Sequence, residues 1–108
     1  MFENAISCPV TATMSIIGGK WKPIILWILH DEVRRFGEIK KNIPAITQKM
    51  LTQQLRELEH DKIINRKVYP EVPPKVEYSL TDYGLTIMPI LQSMADWGKN
   101  HKRNDKLD

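Results

Sequence analysis

The chain has 108 residues and a net charge of +3, with 42% hydrophobic and 27% charged residues. These values predict one small globular domain spanning residues 1–108 and argue against intrinsic disorder. The single cysteine, Cys8, excludes a fold stapled by internal disulfides. Residues 1–8 lack the pattern of a signal peptide, and no apolar run approaches the ~20 residues of a membrane span. The expected compartment is therefore a reducing cytoplasm, with no membrane partner.

Helical periodicity dominates the first 60 residues. Glycine and proline mark where the predicted helices end, because glycine favours helix C-termini and proline cannot continue a helix. The second helix is apolar on nearly all sides, which places it at the centre of the core. The four predicted helices are bounded by Cys8-Pro9 and Gly18-Gly19, by Trp21 and Leu29, by Arg34-Arg35 and Pro44, and by Thr47 and Asp61.

A β-hairpin is predicted next. Residues from Ile63 to Tyr69 form one strand, and the alternating residues from Val76 to Leu80 form the other. The segment between them, Pro70-Glu71-Val72-Pro73-Pro74, is expected to be a stiff turn because proline fixes φ.

A last helix, capped by Thr81, should run from Asp82 to about Trp97. Pro89 falls inside it, so a kink or break is expected near Met88. Polar residues from Lys99 onward are expected to fray. A helix-turn-helix followed by a hairpin and a further helix is an α+β arrangement, typical of winged helix-turn-helix domains that insert one helix into the DNA major groove.

The fourth helix has two chemically different faces. Leu51, Leu55 and Leu58 share one side at helical spacing, so they are expected to face the core. The opposite side carries residue types that recognise base edges and phosphates, and the helix N-terminus favours a phosphate. The alternative is an ordinary solvated face, which most amphipathic helices have. The candidate DNA-contact residues of this helix are Thr47, Gln48, Lys49, Thr52, Gln53 and Arg56.

Positive charge is concentrated in the same region. The segment from Arg34 to Lys75 contains ten lysine and arginine residues and five acidic residues, a net +5 in a chain whose total is +3. This is the electrostatic footprint expected of a nucleic-acid-binding surface. In the hairpin, Arg66, Lys67 and Lys75 flank the turn, and Lys67 and Lys75 are candidate contacts to the DNA backbone. Alternatively, these cations protect a sheet edge from aggregation.

Long segments of this chain resemble the HxlR-type regulators, bacterial winged-helix transcription factors allied to the MarR regulators. The resemblance extends from Cys8 to Trp97. The segments that carry it are Cys8-Pro9-Val10, Gly18-Gly19-Lys20-Trp21-Lys22, Arg34-Arg35-Phe36, the run from Gln48 to Glu59, the run from Val68 to Thr81, and Gly84.

The resemblance implies a homodimer that binds operator DNA through two winged helix-turn-helix units. It assigns DNA recognition to the helix from Thr47 to His60, and dimerisation to the helices near Val10–Ile17 and Asp82–Trp97. Some family members sense oxidants through a cysteine at the position of Cys8, so Cys8 is a candidate redox-sensing residue. A second cysteine, which some members use, is missing here.

Several alternatives remain open from the residues alone. Cys8 could instead be a small buried side chain, and the domain could be a protein–protein adaptor or a dedicated redox sensor. No nucleophile motif, phosphate-binding glycine loop or metal-ligand spacing is present, so no enzyme activity, cofactor or metal is expected. An apolar stripe on the last helix predicts a dimer interface formed by Leu85, Met88, Leu91, Met94 and Trp97.

Overall fold

The structure, a computed structural model, describes residues 8–107, with side chains as far as residue 102. The expectation about a signal peptide concerns residues that lie mostly outside this range. The described part of the chain contains six helices and a three-stranded sheet. In chain order the elements are α1 (Pro9–Ile17), α2 (Lys22–Ile28), β1 (Arg34–Arg35), α3 (Phe36–Asn42), α4 (Gln48–His60), β2 (Ile64–Tyr69), β3 (Lys75–Leu80), α5 (Asp82–Leu85) and α6 (Met88–Leu107).

The sheet confirms the predicted hairpin and adds one strand. β3 lies in the middle and pairs antiparallel with both β2 and β1. β1 is only two residues long, with Arg34 opposite Tyr78 and Arg35 opposite Glu77. From the sequence alone these two arginines lead into α3, because two charged residues show no strand periodicity. Their strand conformation comes from pairing with β3, which is distant in sequence.

The core lies between the helices and one face of the sheet. α2 contributes fully buried residues, as predicted, and α4 contributes its three leucines, each at most 2% exposed. α4 begins as predicted, because the Thr47 hydroxyl oxygen accepts a hydrogen bond from the Met50 amide at 3.0 Å. The buried hydrophobic residues are Ile17, Ile25, Leu26, Leu29, Ile39, Ile43, Ile46, Leu51, Leu55, Leu58, Ile63, Ile64, Tyr78 and Leu91.

The C-terminal helix breaks where proline predicted it would. α5 ends at Leu85 and α6 starts at Met88, one residue before Pro89. The predicted end near Trp97 is wrong, because α6 continues to Leu107. Polar residues predict exposure rather than the end of a helix, and no proline follows Pro89. The rings of Trp97 and His101, one turn apart, stack with centroids 5.2 Å apart and support the extension.

Candidate nucleic-acid interface

The orientation of α4 follows from its leucines. Leu51, Leu55 and Leu58 are buried in the core, so the opposite side of the helix faces outward. Gln48, Lys49, Thr52, Gln53 and Arg56 line one open groove of about 660 Å³ together with Glu57. Five of the six residues predicted on this helix therefore share one surface, and the sixth, Thr47, is exposed at the N-cap.

Thr52 is less available than its neighbours on this surface. Its side chain is half-buried, and its hydroxyl donates to the Gln48 carbonyl at 2.9 Å. Its hydroxyl hydrogen is used within the helix, so a partner can contact its methyl group or donate to its oxygen, and thymine presents a methyl group in the major groove.

An ion pair beneath the groove was not predicted. Lys22 of α2 is 8% exposed, and its ammonium donates to Glu57 Oε1 on α4 at 2.7 Å. The other oxygen of Glu57 accepts from Gln53 Nε2 at 3.2 Å. The hydrogen bond from Lys22, then that from Gln53, and then the charge of Lys22 hold the pKa of Glu57 below its ordinary value of 4.5, although partial burial opposes the shift.

From the sequence alone, Glu57 is only one of the five acidic residues in the basic segment from Arg34 to Lys75. One part of the arrangement could be found locally, because Gln53 and Glu57 are four residues apart on a helix and such pairs interact. The Lys22 contact could not be found that way, since it joins residues 35 positions apart.

The hairpin of β2 and β3, which is the wing of the fold, places its two predicted cations on one aromatic ring. Lys67 Nζ and Lys75 Nζ lie 4.9 and 4.7 Å from the centre of the Tyr69 ring. The Tyr69 hydroxyl donates to Glu77 Oε1 at 2.7 Å, and Lys75 Nζ lies 3.6 Å from Glu77 Oε2. Tyr69 therefore holds both lysines by cation–π contact, a role that the sequence analysis missed.

The carboxylate of Glu77 is stabilised in its charged form by this cluster. The Tyr69 hydrogen bond is the largest cause of a pKa below the ordinary glutamate value, with smaller contributions from Lys75 and from the charge of Arg35. Partial burial acts in the opposite direction.

A smaller cavity connects α4 with the hairpin. Arg56 and Glu59 of α4 and Arg66 of β2 all line this cavity of about 250 Å³. Arg56 also lines the larger groove, so the outward face of α4 and the basic side of β2 form one continuous surface. Lys67 and Lys75 line neither cavity and lie farther along the wing.

The predicted dimer residues have very different exposures. Leu85, Met94 and Trp97 are 48%, 46% and 69% exposed, and Met88 is half-buried. Leu91 is 3% exposed and belongs to the core of the single chain, so it offers almost no surface to a second subunit. Near it, a shallow apolar groove of about 260 Å³ is lined by Pro23, Ile24, Trp27, Leu91, Met94 and Ala95.

Cys8 precedes the first turn of α1. It is the N-cap residue, its side chain is half-buried, and its carbonyl accepts from the Ala12 amide at 3.1 Å. On the same helix, Val10 and Met14 are 67% and 50% exposed. The candidate redox residue therefore adjoins a second exposed apolar surface.

Among the residues that the structure describes, no set of three or more His, Cys, Asp or Glu side chains is placed to bind a metal ion. No helix in that part of the chain combines the length and apolar character that crossing a membrane requires.

Comparison with known proteins identifies relatives across almost the whole chain. Residues 16–106 match the model of the HxlR-like helix-turn-helix family. YdeP of Bacillus subtilis, named as an uncharacterized HTH-type transcriptional regulator, is 58% identical over 94% of this chain and 80% of its own length. A second B. subtilis protein with the same description, YtcD, is 56% identical over 94% of this chain and 80% of its own length.

Solved structures agree with the sequence relatives. The redox regulator HypR in its reduced form superposes with a TM-score of 0.88 at 48% identity, over 94% of this chain and all of that chain. Its oxidised form gives a TM-score of 0.84 at 54% identity, over 86% of this chain and 96% of that chain. With its winged helix-turn-helix fold, this chain belongs to the HxlR-like helix-turn-helix family of transcriptional regulators.

Proposed function

We propose that this protein regulates transcription by binding double-stranded operator DNA through the outward face of α4, with the wing contacting the flanking backbone. The observation that carries the proposal is the groove lined by Lys49, Gln53 and Arg56, whose side chains are all exposed. Lysine and arginine bind guanine acceptors and phosphates, and glutamine pairs with adenine. The helix that carries these groups is fixed by three buried leucines, so the groups have a defined geometry.

The wing supports the proposal electrostatically. Lys67 and Lys75 are held on Tyr69 on the same hairpin that carries Arg66 beside α4. A wing that contacts phosphates adds affinity without sequence preference. The protein would act in the cytoplasm, where bacterial DNA lies.

We also propose that the protein works as a homodimer. The exposed apolar side chains of α1 and α6, among them Val10, Met14, Met94 and Trp97, support a two-fold interface. Such an interface would place two α4 helices about 34 Å apart, one turn of DNA. Leu91 is not part of this proposal, because its side chain is already buried.

The proposed DNA binding is tested by selection from a pool of randomised duplexes. The selected duplex and a scrambled duplex are then titrated at several salt concentrations. We expect tighter binding to the selected duplex and an affinity that falls steeply with salt. If no duplex is enriched, and binding to both is weak and equal, the adaptor function proposed as the alternative is favoured.

Modulation by thiol oxidation is the second part of the proposed function. Cys8 lies at the start of α1, next to the apolar surface of the proposed dimer, and the similarity to the redox regulator HypR supports it. Without a second cysteine, oxidation would give a sulfenic acid, a small-thiol adduct or a bridge between two Cys8 residues. Duplex binding measured before and after diamide, in wild type and Cys8→Ser, tests this. An identical response of both proteins would make Cys8 structural.

A further inference from the structure

Gln53 is held in one orientation in the groove, and the consequence of this for base recognition rests on the proposed DNA binding. Gln53 has an amide with an oxygen acceptor at one corner and a nitrogen donor at the other. A free glutamine can rotate this group by half a turn, which exchanges donor and acceptor. In this structure the rotation is restricted, because Gln53 Nε2 donates to Glu57 Oε2.

The chemistry of Glu57 decides which end of the amide faces it. An ionised carboxylate only accepts hydrogen bonds, so the NH₂ group of Gln53 must point toward it. The ionised state is stabilised by Lys22, which is buried and donates to the other oxygen of Glu57 at 2.7 Å. Lys22 also neutralises a negative charge that would otherwise repel DNA phosphates.

The free end of the Gln53 amide is its oxygen. Within the described part of the chain, Gln53 Oε1 has no hydrogen-bond partner, while one N–H of Nε2 is bound to Glu57. The side chain is exposed and lines the large groove of α4. Gln53 thus offers one acceptor and one remaining donor to a partner in that groove.

We propose that Glu57, held by Lys22, is a positioning residue that makes Gln53 select adenine over guanine. Adenine presents an amino donor and the N7 acceptor in the major groove, which match the acceptor and the donor of the held amide. Guanine presents two acceptors, O6 and N7, so its O6 would face Gln53 Oε1 without a hydrogen bond. A glutamine released from Glu57 has both N–H donors free and could turn them toward the two acceptors of guanine, which would weaken this preference.

The experiment uses duplexes selected by the wild-type protein from a randomised pool. The base pair that Gln53 contacts is identified first, as the position in the duplex where Gln53→Ala lowers base selectivity. The wild type should prefer adenine over guanine there by roughly five- to 150-fold, the value of a bidentate contact. Glu57→Gln should reduce that ratio several-fold, because glutamine at 57 can either donate to or accept from Gln53.

Glu59→Gln is the matched control. It removes the same charge from an exposed position of the same helix, two residues farther on, where no hydrogen bond to Gln53 is present. We expect both variants to raise affinity for all duplexes slightly, while only Glu57→Gln changes the adenine-to-guanine ratio. Lys22→Met should also lower the ratio, and circular dichroism of each variant checks its fold.

Three results would overturn the inference. The first is a folded Glu57→Gln variant that keeps the wild-type adenine-to-guanine ratio. The second is a wild-type preference for guanine at the position that Gln53→Ala identifies. The third is a Gln53→Ala variant that lowers base selectivity at no position of the duplex. The proposed DNA binding would be contradicted by a different result, in which the wild-type protein enriches no duplex from the randomised pool.

Discussion

Gly84 of α5 lies directly against the carbonyl oxygen of Ile63, so close that a Cβ at this position would be 2.1 Å from that oxygen. The contact brings the start of α5 onto the residue that precedes β2. Thr81 completes it, since its amide donates to the Ile63 carbonyl at 3.0 Å and its hydroxyl oxygen accepts from the Gly84 amide at 2.8 Å. Packing therefore requires glycine at the point where α5 meets the residue before β2.

Gly84→Ala should destabilise the protein by about 1–3 kcal/mol, the cost of overpacking a buried site. Urea unfolding followed by tryptophan fluorescence measures the change. Gly37→Ala is the control, because no atom outside the local helix lies within 4 Å of its added Cβ and alanine favours a helix by about 0.5–1 kcal/mol. Equal stability of Gly84→Ala and wild type would contradict the close packing.

Thr47→Ala should lower the free energy of unfolding by about 1 kcal/mol, because it removes the hydrogen bond to the Met50 amide at the start of α4. Thr47→Ser retains the hydroxyl and should behave as wild type. Thermal unfolding of the three proteins at one concentration checks this. A loss of the same size in both variants would show that the hydroxyl is not what stabilises the helix.

Stability should respond to acid through Glu57. Because its pKa in the folded protein lies below the ordinary 4.5, the ion pair with Lys22 stabilises the fold above that pH. As the pH falls through the folded pKa, the folded state takes up the proton and this stabilisation is lost. The difference in free energy of unfolding between wild type and Glu57→Gln should therefore be largest near neutral pH and shrink below pH 4.5.

Denaturant unfolding at a series of pH values provides the measurement. Lys22→Met should remove most of the same pH dependence, since the ammonium is the main cause of the shift. A difference between wild type and Glu57→Gln that grows as the pH falls would have the wrong sign.

Loss of a base contact and loss of a phosphate contact should have different effects in DNA titrations. Arg56→Ala should cost about 1–3 kcal/mol and relax sequence preference, because Arg56 lies on the outward face of α4. Lys75→Ala should weaken binding to all duplexes alike and reduce the salt slope by about one. Fluorescence anisotropy with selected and scrambled duplexes distinguishes the two patterns. Loss of sequence preference in Lys75→Ala would contradict the assignment of the wing to the backbone.

Met94→Glu should dissociate the proposed dimer, since it places a charge on an exposed apolar surface of α6. Gln92→Glu is its control, because two residues along a helix turn the side chain by about 200° to the opposite side. Sedimentation velocity at micromolar concentration should show dimers for wild type and Gln92→Glu. A monomeric wild type would refute the interface. Leu91→Glu is unsuitable as a test, because it would place a charge in the core of the subunit.

Local signals account for the parts of the fold that the sequence predicted well. The spacing of Leu51, Leu55 and Leu58, with Thr47 before them, was sufficient to orient α4 and to select its outward residues. Similarly, Pro89 was sufficient to place the break before α6.

Features that depend on distant residues were missed. The strand at Arg34 exists because Tyr78 pairs with it, and the orientation of Gln53 depends on Lys22 through Glu57. Tyr69 was overlooked because nothing in a strand pattern distinguishes an aromatic ring that packs in the core from one that holds two lysines.

The five-residue turn of the wing contains three prolines, Pro70, Pro73 and Pro74, and at its tip Val72 is 99% exposed. Each proline ring confines its φ to about −65°, so the turn samples few backbone conformations when no partner is present. Ordering a flexible loop on association reduces affinity, because the conformational entropy is lost at that moment. In this wing the three prolines have removed part of that entropy beforehand, so a partner that contacts Val72 meets a turn that is restricted before the encounter.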